Sequence, residues 1–337
     1  MAIQLLLPVI MTFHKVLFTA LALSSFAAVA HADSVAPFGI ASAYNLLALG
    51  SSTLQGTIST SADVTGRVAA ADRILAGTTI GSHLNGDPYG SLATYGLVST
   101  NGLVAGQTFN MNGGGNAYAA GSNGSFNFND GGHRVATGSS GIDFDSLRTS
   151  LDLQTAVLNG LAPNGVVGAP TPVNGNPSWL VLKGTSSTLN VFNITAAQFA
   201  SNNHNIDIEA PVGSTIIVNV AGTNVTLGAG LYYNGNQTSG DSDADSKILF
   251  NFANAQTVTI NSQFSASILA PFALLSGNAQ MAGNFIAAQI GQTGEVHNIE
   301  FTGILPPPTG VTPEPGTLAL MGTGIMSLAA VVRRRKK

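Results

Sequence analysis

The 337-residue chain has no cysteine, a single tryptophan and only 8% charged residues. Without thiols there is no disulfide framework, no thiolate nucleophile and no zinc–thiolate centre. The scarce charge is also unevenly spread. Five of the 12 basic residues (Arg333, Arg334, Arg335, Lys336 and Lys337) close the chain, and Lys15 lies near its start. Between Asp33 and Val311 six basic residues face 15 acidic ones, a net charge of −9. A body of that sign repels phosphate backbones, which argues against nucleic acid as a partner.

What is abundant is glycine, with 40 residues, alongside serine, threonine, asparagine and small apolar side chains. This composition suits short strands joined by tight turns. Alternation marks the strands directly. "STIIVNV" sets Ile216, Val218 and Val220 on one face, with Thr215, Ile217 and Asn219 on the other. "KILFNF" groups Ile248, Phe250 and Phe252, and "TVTI" pairs Val258 with Ile260. "QFSASILAPFA" (263–273) and "QMAGNFIAAQI" (280–290) repeat one phrase at an offset of 17, matching Phe264 to Met281, Ile268 to Phe285 and Ala270 to Ala287. "DVTGRVAAADRI" (63–74) and "GLVSTNGLVAG" (96–106) carry the same rhythm. Drifting repeats of this size predict the stacked rungs of a β-solenoid, although a β-sandwich gives the same local pattern.

Two stretches depart from that rhythm. "IDFDSLRTSLDLQTAVLNG" spaces Phe144, Leu147, Leu151 and Leu158 helically, with Asp in the first turn and Gly160 at the C-cap, which predicts one helix over 143–159 against the solenoid flank. "ITAAQFA" has capping-box spacing at Thr195 and Gln198. "NMNGGGNAYAAGSNGSFNFNDGG" (110–132) reads as a flexible, low-complexity insertion. The expected fold is therefore mainly β, a single right-handed β-solenoid with one flanking α-helix. A signal helix precedes it and a short transmembrane helix follows.

Both ends read as addresses. "VLFTALALSSFAAVA" (16–30) follows His14 and Lys15 as the apolar core of a secretory signal over 1–32, and because "MAIQLLLPVI" fits badly ahead of an n-region, Met11 reads as the true start. Ala30 and Ala32 put small side chains at the positions a signal peptidase inspects. At the other end, Gly316–Val332 gives 17 residues without charge, just enough to cross a bilayer as a helix, and the five cations hold its far side in the cytoplasm. Residues 306–312 form a Pro-rich spacer. Pro313-Glu314-Pro315 then stays extended because proline fits neither helix interior nor central strand. A permanent single-span anchor is the plain reading of this tail.

The tripeptide, span and basic stop over 313–337 resemble the PEP-CTERM sorting domain of Gram-negative bacteria. That resemblance implies processing by an exosortase-type enzyme, with the precursor tethered to the inner membrane by its tail before release to the cell surface or matrix. "YNLLALG", "VTGRVAA", "ILFNFANAQTVTI", "ASILAP" and "GEVHNIEFTG" together are similar to the choice-of-anchor A domain over 33–305. The stretch around "FSASILA" also resembles ice-binding-protein-type adhesins, in which a β-helix packs a long helix on one flank. The family implies an adhesive or matrix role and supplies no catalytic residue.

Chemistry-bearing clusters are few. Asp241, Asp243 and Asp245 in "SGDSDADSK" alternate as calcium ligands can, yet Ser246 and Phe252 stand where an EF-hand needs Gly and Glu, so an acidic solvated loop is the first reading and calcium the second. His83, His133, His204 and His297 lack metal-ligand spacing, and Glu295 and His297 can pair along one strand. No nucleophile elbow or phosphate loop occurs. The expected function is a non-enzymatic exported adhesin or matrix component that binds polysaccharide or a matrix protein and needs no cofactor unless the Asp loop takes Ca²⁺. An ice-binding protein or a carbohydrate-active β-helix enzyme is the alternative.

Overall fold

The computed structural model describes residues 36–84, 86–121, 124–168, 179–199, 205–228, 230–239 and 245–308. The signal segment with Ala30 and Ala32, Asp241, Asp243, His204, the Pro313–Pro315 motif and the Arg333–Lys337 stop lie outside them. The chain divides into Met1–Ala36 and Pro37–Lys337. The architecture below belongs to the second unit.

Most of its strands stack in parallel on three faces, and a five-stranded sheet of Asn236–Gln237, Leu231–Tyr233, Ile206–Glu209, Leu180–Lys183 and Val166–Gly168 is antiparallel only at its two edges. The first face runs Leu189–Thr195, Thr215–Ala221, Ile248–Asn251, Ser267–Gly277, Phe285–Ile290, Leu46–Ala48, Val68–Ala70, Leu97–Ser99, Ala117–Ala119 and Arg134–Val135. The second is built from Asn224–Leu227, Thr257–Ile260 and the second half of Ser267–Gly277, then continues through single bridges at Ile58, Ile74 and Leu103. The third joins Phe264–Ser265, Met281–Ala282 and Val296–His297 through Val64 to Thr79–Ile80, Thr108–Met111 and Ser125–Phe128. Successive segments visit the faces in one repeating order, so the strands form the rungs of a β-helix.

Rung order is not sequence order. Leu46 pairs with Phe285 on one side and with Val68 on the other. The chain thus enters the stack in the middle, builds one half to residue 135, and builds the other half so that its last rungs meet the first.

Register explains the core. Parallel, in-register stacking lays equivalent side chains of neighbouring rungs directly over one another. One inward ladder reads Phe192, Val218, Phe250, Ile268, Phe285, Leu46, Val68, Leu97 and Ala117. All nine belong to one buried cluster. Phenylalanine occupies every second rung at one end with aliphatics between, an alternation that lets large side chains interdigitate. Gly283 has φ +146, and a Cβ there would lie 2.5 Å from Ala266 O of the preceding rung, so only glycine fits this close backbone passage.

The 17-residue offset read from the sequence is one turn of the stack: Phe264 pairs with Met281, Ile268 with Phe285 and Ala270 with Ala287. The same offset corrects the expected insertion at 110–132. There Phe109 pairs with Phe126, Asn110 with Asn127 and Ala117 with Arg134, so this stretch forms rungs rather than a flexible loop. Its glycines mask the alternation by supplying left-handed corners, for instance Gly113 at φ +63 and Gly114 at φ +71.

Helix α1 spans Phe144–Asn159 and buries Leu147, Leu151, Gln154, Thr155 and Leu158. The Asp143 carboxylate accepts from Ser146 N and caps it. α1 lies on the outside of the first face, against Thr215–Ala221, Ile248–Asn251 and Ser267–Gly277. That cover buries both sides of those strands, so Ile217, Leu249 and Leu269 are as inaccessible as their inward neighbours. Polar fastening adds to the packing. Asn193, Asn219 and Asn251 form an amide ladder across three rungs. Asn251 Nδ2 donates to Thr155 O at 3.1 Å and Asn219 Nδ2 to Leu158 O at 2.8 Å.

Candidate functional site

With the first face partly covered, two faces remain to meet a partner. On the second, inward Val225, Val258, Leu275, Ile290, Ile58, Ile74 and Leu103 form one ladder. The residue after each of these points outward, giving Thr226, Thr259, Ser276, Gly291, Ser59, Leu75 and Val104. The row begins as hydroxyls and ends apolar, without a regular threonine array.

The third face is polar throughout. The positions preceding its inward ladder carry Gln263, Gln280, Glu295, Asp63, Thr79, Asn110 and Asn127. Asn127 Nδ2 donates to Asn110 Oδ1 at 3.0 Å and Asn129 Nδ2 to Asn112 Oδ1 at 2.8 Å, so the amides stack rung on rung. Glu295 and His297 approach to 3.7 Å, and the His297 ring meets Gln280 Nε2 at 2.5 Å. These contacts order the face.

The densest polar chemistry is buried, where the two halves of the stack meet. Arg67 pairs with Asp87, and Asn298 donates to the other Asp87 oxygen and to His83 O. Tyr89 N donates to Glu300 Oε2 at 2.9 Å. Asn45 Nδ2 donates to Gly283 O at 3.0 Å. Burial pushes the Glu300 carboxyl up to about 7, against the opposing bond from Tyr89 and with the Asp87 charge adding to the rise. Burial likewise raises Asp87, while Arg67 pulls it back, and it raises Tyr44 further still. Four buried atoms of this group have no hydrogen-bond partner: Tyr44 Oη, Asn45 Oδ1, Asn298 Oδ1 and Glu300 Oε1. Sequence reading missed this cluster because its members are far apart in the chain, although "YNLLALG", "VTGRVAA" and "GEVHNIEFTG" hold Tyr44, Asn45, Arg67, Asn298 and Glu300.

The sequence-nominated residues fare differently. Asp245 is buried and accepts from Ser239 N at 3.2 Å, so it is no part of a solvated loop. His83, His133 and His297 lie apart. Among the described residues no three His, Asp or Glu side chains gather as a metal site. No described helix is long and apolar enough to cross a membrane.

A family model described as "Putative Ice-binding-like adhesive domain" matches residues 37–298. The chain belongs to this ice-binding-like adhesive family. A second model, the PEP-CTERM protein-sorting motif, matches residues 311–336, so the adhesive domain is followed directly by a sorting signal. A search of curated proteins finds no match. Among solved structures the adhesive domain is similar to an ice-binding protein of the Antarctic ascomycete Antarctomyces psychrotrophicus, at 10% identity and a TM-score of 0.34 over 78% of this chain and 97% of that one. It is also similar to an ice-binding protein from an Arctic yeast, at 13% identity and 0.36 over 83% and 99%. A third is an ice-binding protein domain of Shewanella frigidimarina, at 15% and 0.31 over 77% and 95%. These overlays are too loose to transfer any residue's role.

Proposed function

We propose that the chain is a non-enzymatic adhesive protein of the cell surface or extracellular matrix. An exosortase-type enzyme processes it after its tail has tethered it in the inner membrane. The observation that carries this reading is the pairing, on one chain, of an ice-binding-like adhesive domain over 37–298 with a PEP-CTERM motif over 311–336. The amide-rich third face suits polysaccharide or a matrix protein, because its stacked amides donate and accept without a charge to desolvate, Asp63 and Glu295 being the charged positions of that row. A binding screen of the exported form against glycans and matrix proteins tests it. Retention of a matrix polymer is the expected result, and no retention on any surface ends the adhesive reading.

The tail has its own test. Mass spectrometry of the surface fraction should find chains ending near Glu314 or Pro315. Replacing Pro313, Glu314 and Pro315 by Ala should leave the precursor in the inner membrane, and deleting Arg333–Lys337 should let it bypass sorting. An intact C-terminus at the surface would identify a permanent anchor.

Ice binding is the second reading, favoured by Asn224, Thr226, Thr257 and Thr259 on adjacent rungs of the second face. The outward row then turns to Gly291, Leu75 and Val104, which breaks the flat hydroxyl array that matching an ice lattice requires. Thermal hysteresis of the purified protein would displace the adhesive reading. Turnover of a polysaccharide, lost on substituting Asp63 or Glu295, would instead revive the enzymatic one.

A further inference from the structure

We infer that the junction between the two halves of the stack holds one hard cation of the calcium type, ligated by Asn45 Oδ1, Asn298 Oδ1 and the Glu300 carboxylate. The donor set argues first. Asn45 is wholly buried and Glu300 is 4% exposed, yet Asn45 Oδ1 and Glu300 Oε1 have no partner, and neither does Asn298 Oδ1. Both amides are oriented by their nitrogens, Asn45 towards Gly283 O and Asn298 towards His83 O and Asp87, so rotating either amide would trade made bonds for lost ones. With Glu300 ionised these are three acceptors, more than the two protons of a single water can serve, and a hard cation takes all three.

Space argues second. Gly66 lies beside these oxygens, and a Cβ there would overlap Asn45 Oδ1 and come within 2.7 Å of Asn298 Oδ1. The two carbonyl oxygens therefore lie near one another, and Asn45 Oδ1 packs where any side chain at position 66 would stand. Glu300 is two residues from Asn298, and both grip the same loop, at Tyr89 N and at Asp87. Charge argues third. Arg67 is paired directly with Asp87, so the Glu300 carboxylate, when ionised, has no direct ion-pair partner. Fewer protein oxygens are present than calcium's usual six to eight, so the rest of the shell would be water.

The test is thermal unfolding of chelator-stripped full-length protein with and without CaCl₂, with MgCl₂ and NaCl as comparison arms. At a hundredfold excess over its dissociation constant, calcium should raise the midpoint by about 5 °C by mass action. Glu300→Gln, which keeps size and the Tyr89 bond, should remain folded by circular dichroism and lose the shift. A double Asp241→Asn/Asp243→Asn variant should keep it. No calcium shift in the wild type leaves water in the cradle and overturns the proposal. So does a shift that survives Glu300→Gln, or one lost only in the double variant.

Discussion

Glu300 is the residue whose environment makes the sharpest demand. Its carboxyl titrates at about 7 in the fold and at 4.5 ordinarily. The folded state therefore holds its proton more tightly than the unfolded chain does. Below pH 4.5 both states are protonated and the full stability is present. Between 4.5 and 7 the unfolded chain gains by ionising, and stability falls as pH rises, by about 3 kcal/mol over the interval. In chelator, the unfolding midpoint should be higher at pH 5 than at pH 8, and Glu300→Gln should flatten that slope. A midpoint that climbs with pH would reverse the assignment. Phe250 is a second test at this scale. It is fully buried and meets Phe264 edge-on at 5.2 Å, so Phe250→Ala should cost about 3–5 kcal/mol in denaturant unfolding.

Among the elements, α1 is held by amides as much as by leucines. Asn251→Ala would strip Thr155 of its partner and break the amide ladder beneath the helix, at a cost of about 1–3 kcal/mol. Asp143→Ala, which removes only the exposed cap, should cost less than Asn251→Ala. Hydrogen exchange across 144–159 separates the two, because the first should speed exchange along the helix and the second only in its first turn. What the sequence disclosed about elements followed from local physics. Alternation placed Ile216, Val218, Phe250 and Val258 inward, and the 17-residue phrase gave the true register. Reading failed where an element's surroundings decide burial. Ile217 and Asn219 alternate as an exposed side but lie under α1. The rungs at 110–132 are so rich in Gly and Asn that their buried cluster positions shrink to Met111, Ala117 and Ala119, with Phe126 and Phe128 only partly covered. The buried junction was invisible for a third reason. Asn45 and Gly283 touch across 238 residues, a distance no window spans.

For the whole molecule, that long pairing has a consequence for synthesis and export. A solenoid laid down in sequence order could harden rung by rung as the chain emerges. This one cannot, because the first rung at Leu46–Ala48 has its second neighbour only when Phe285–Ile290 arrives. Until then the early half has one raw edge and an open apolar end, and closing so large a loop slows folding. A chain cut after Gln280 should therefore leave residues 46–135 sensitive to protease, although every contact within that half is still encoded. The order of assembly thus works as a check on completeness. The stack is complete only when the end of the chain comes back to meet its beginning.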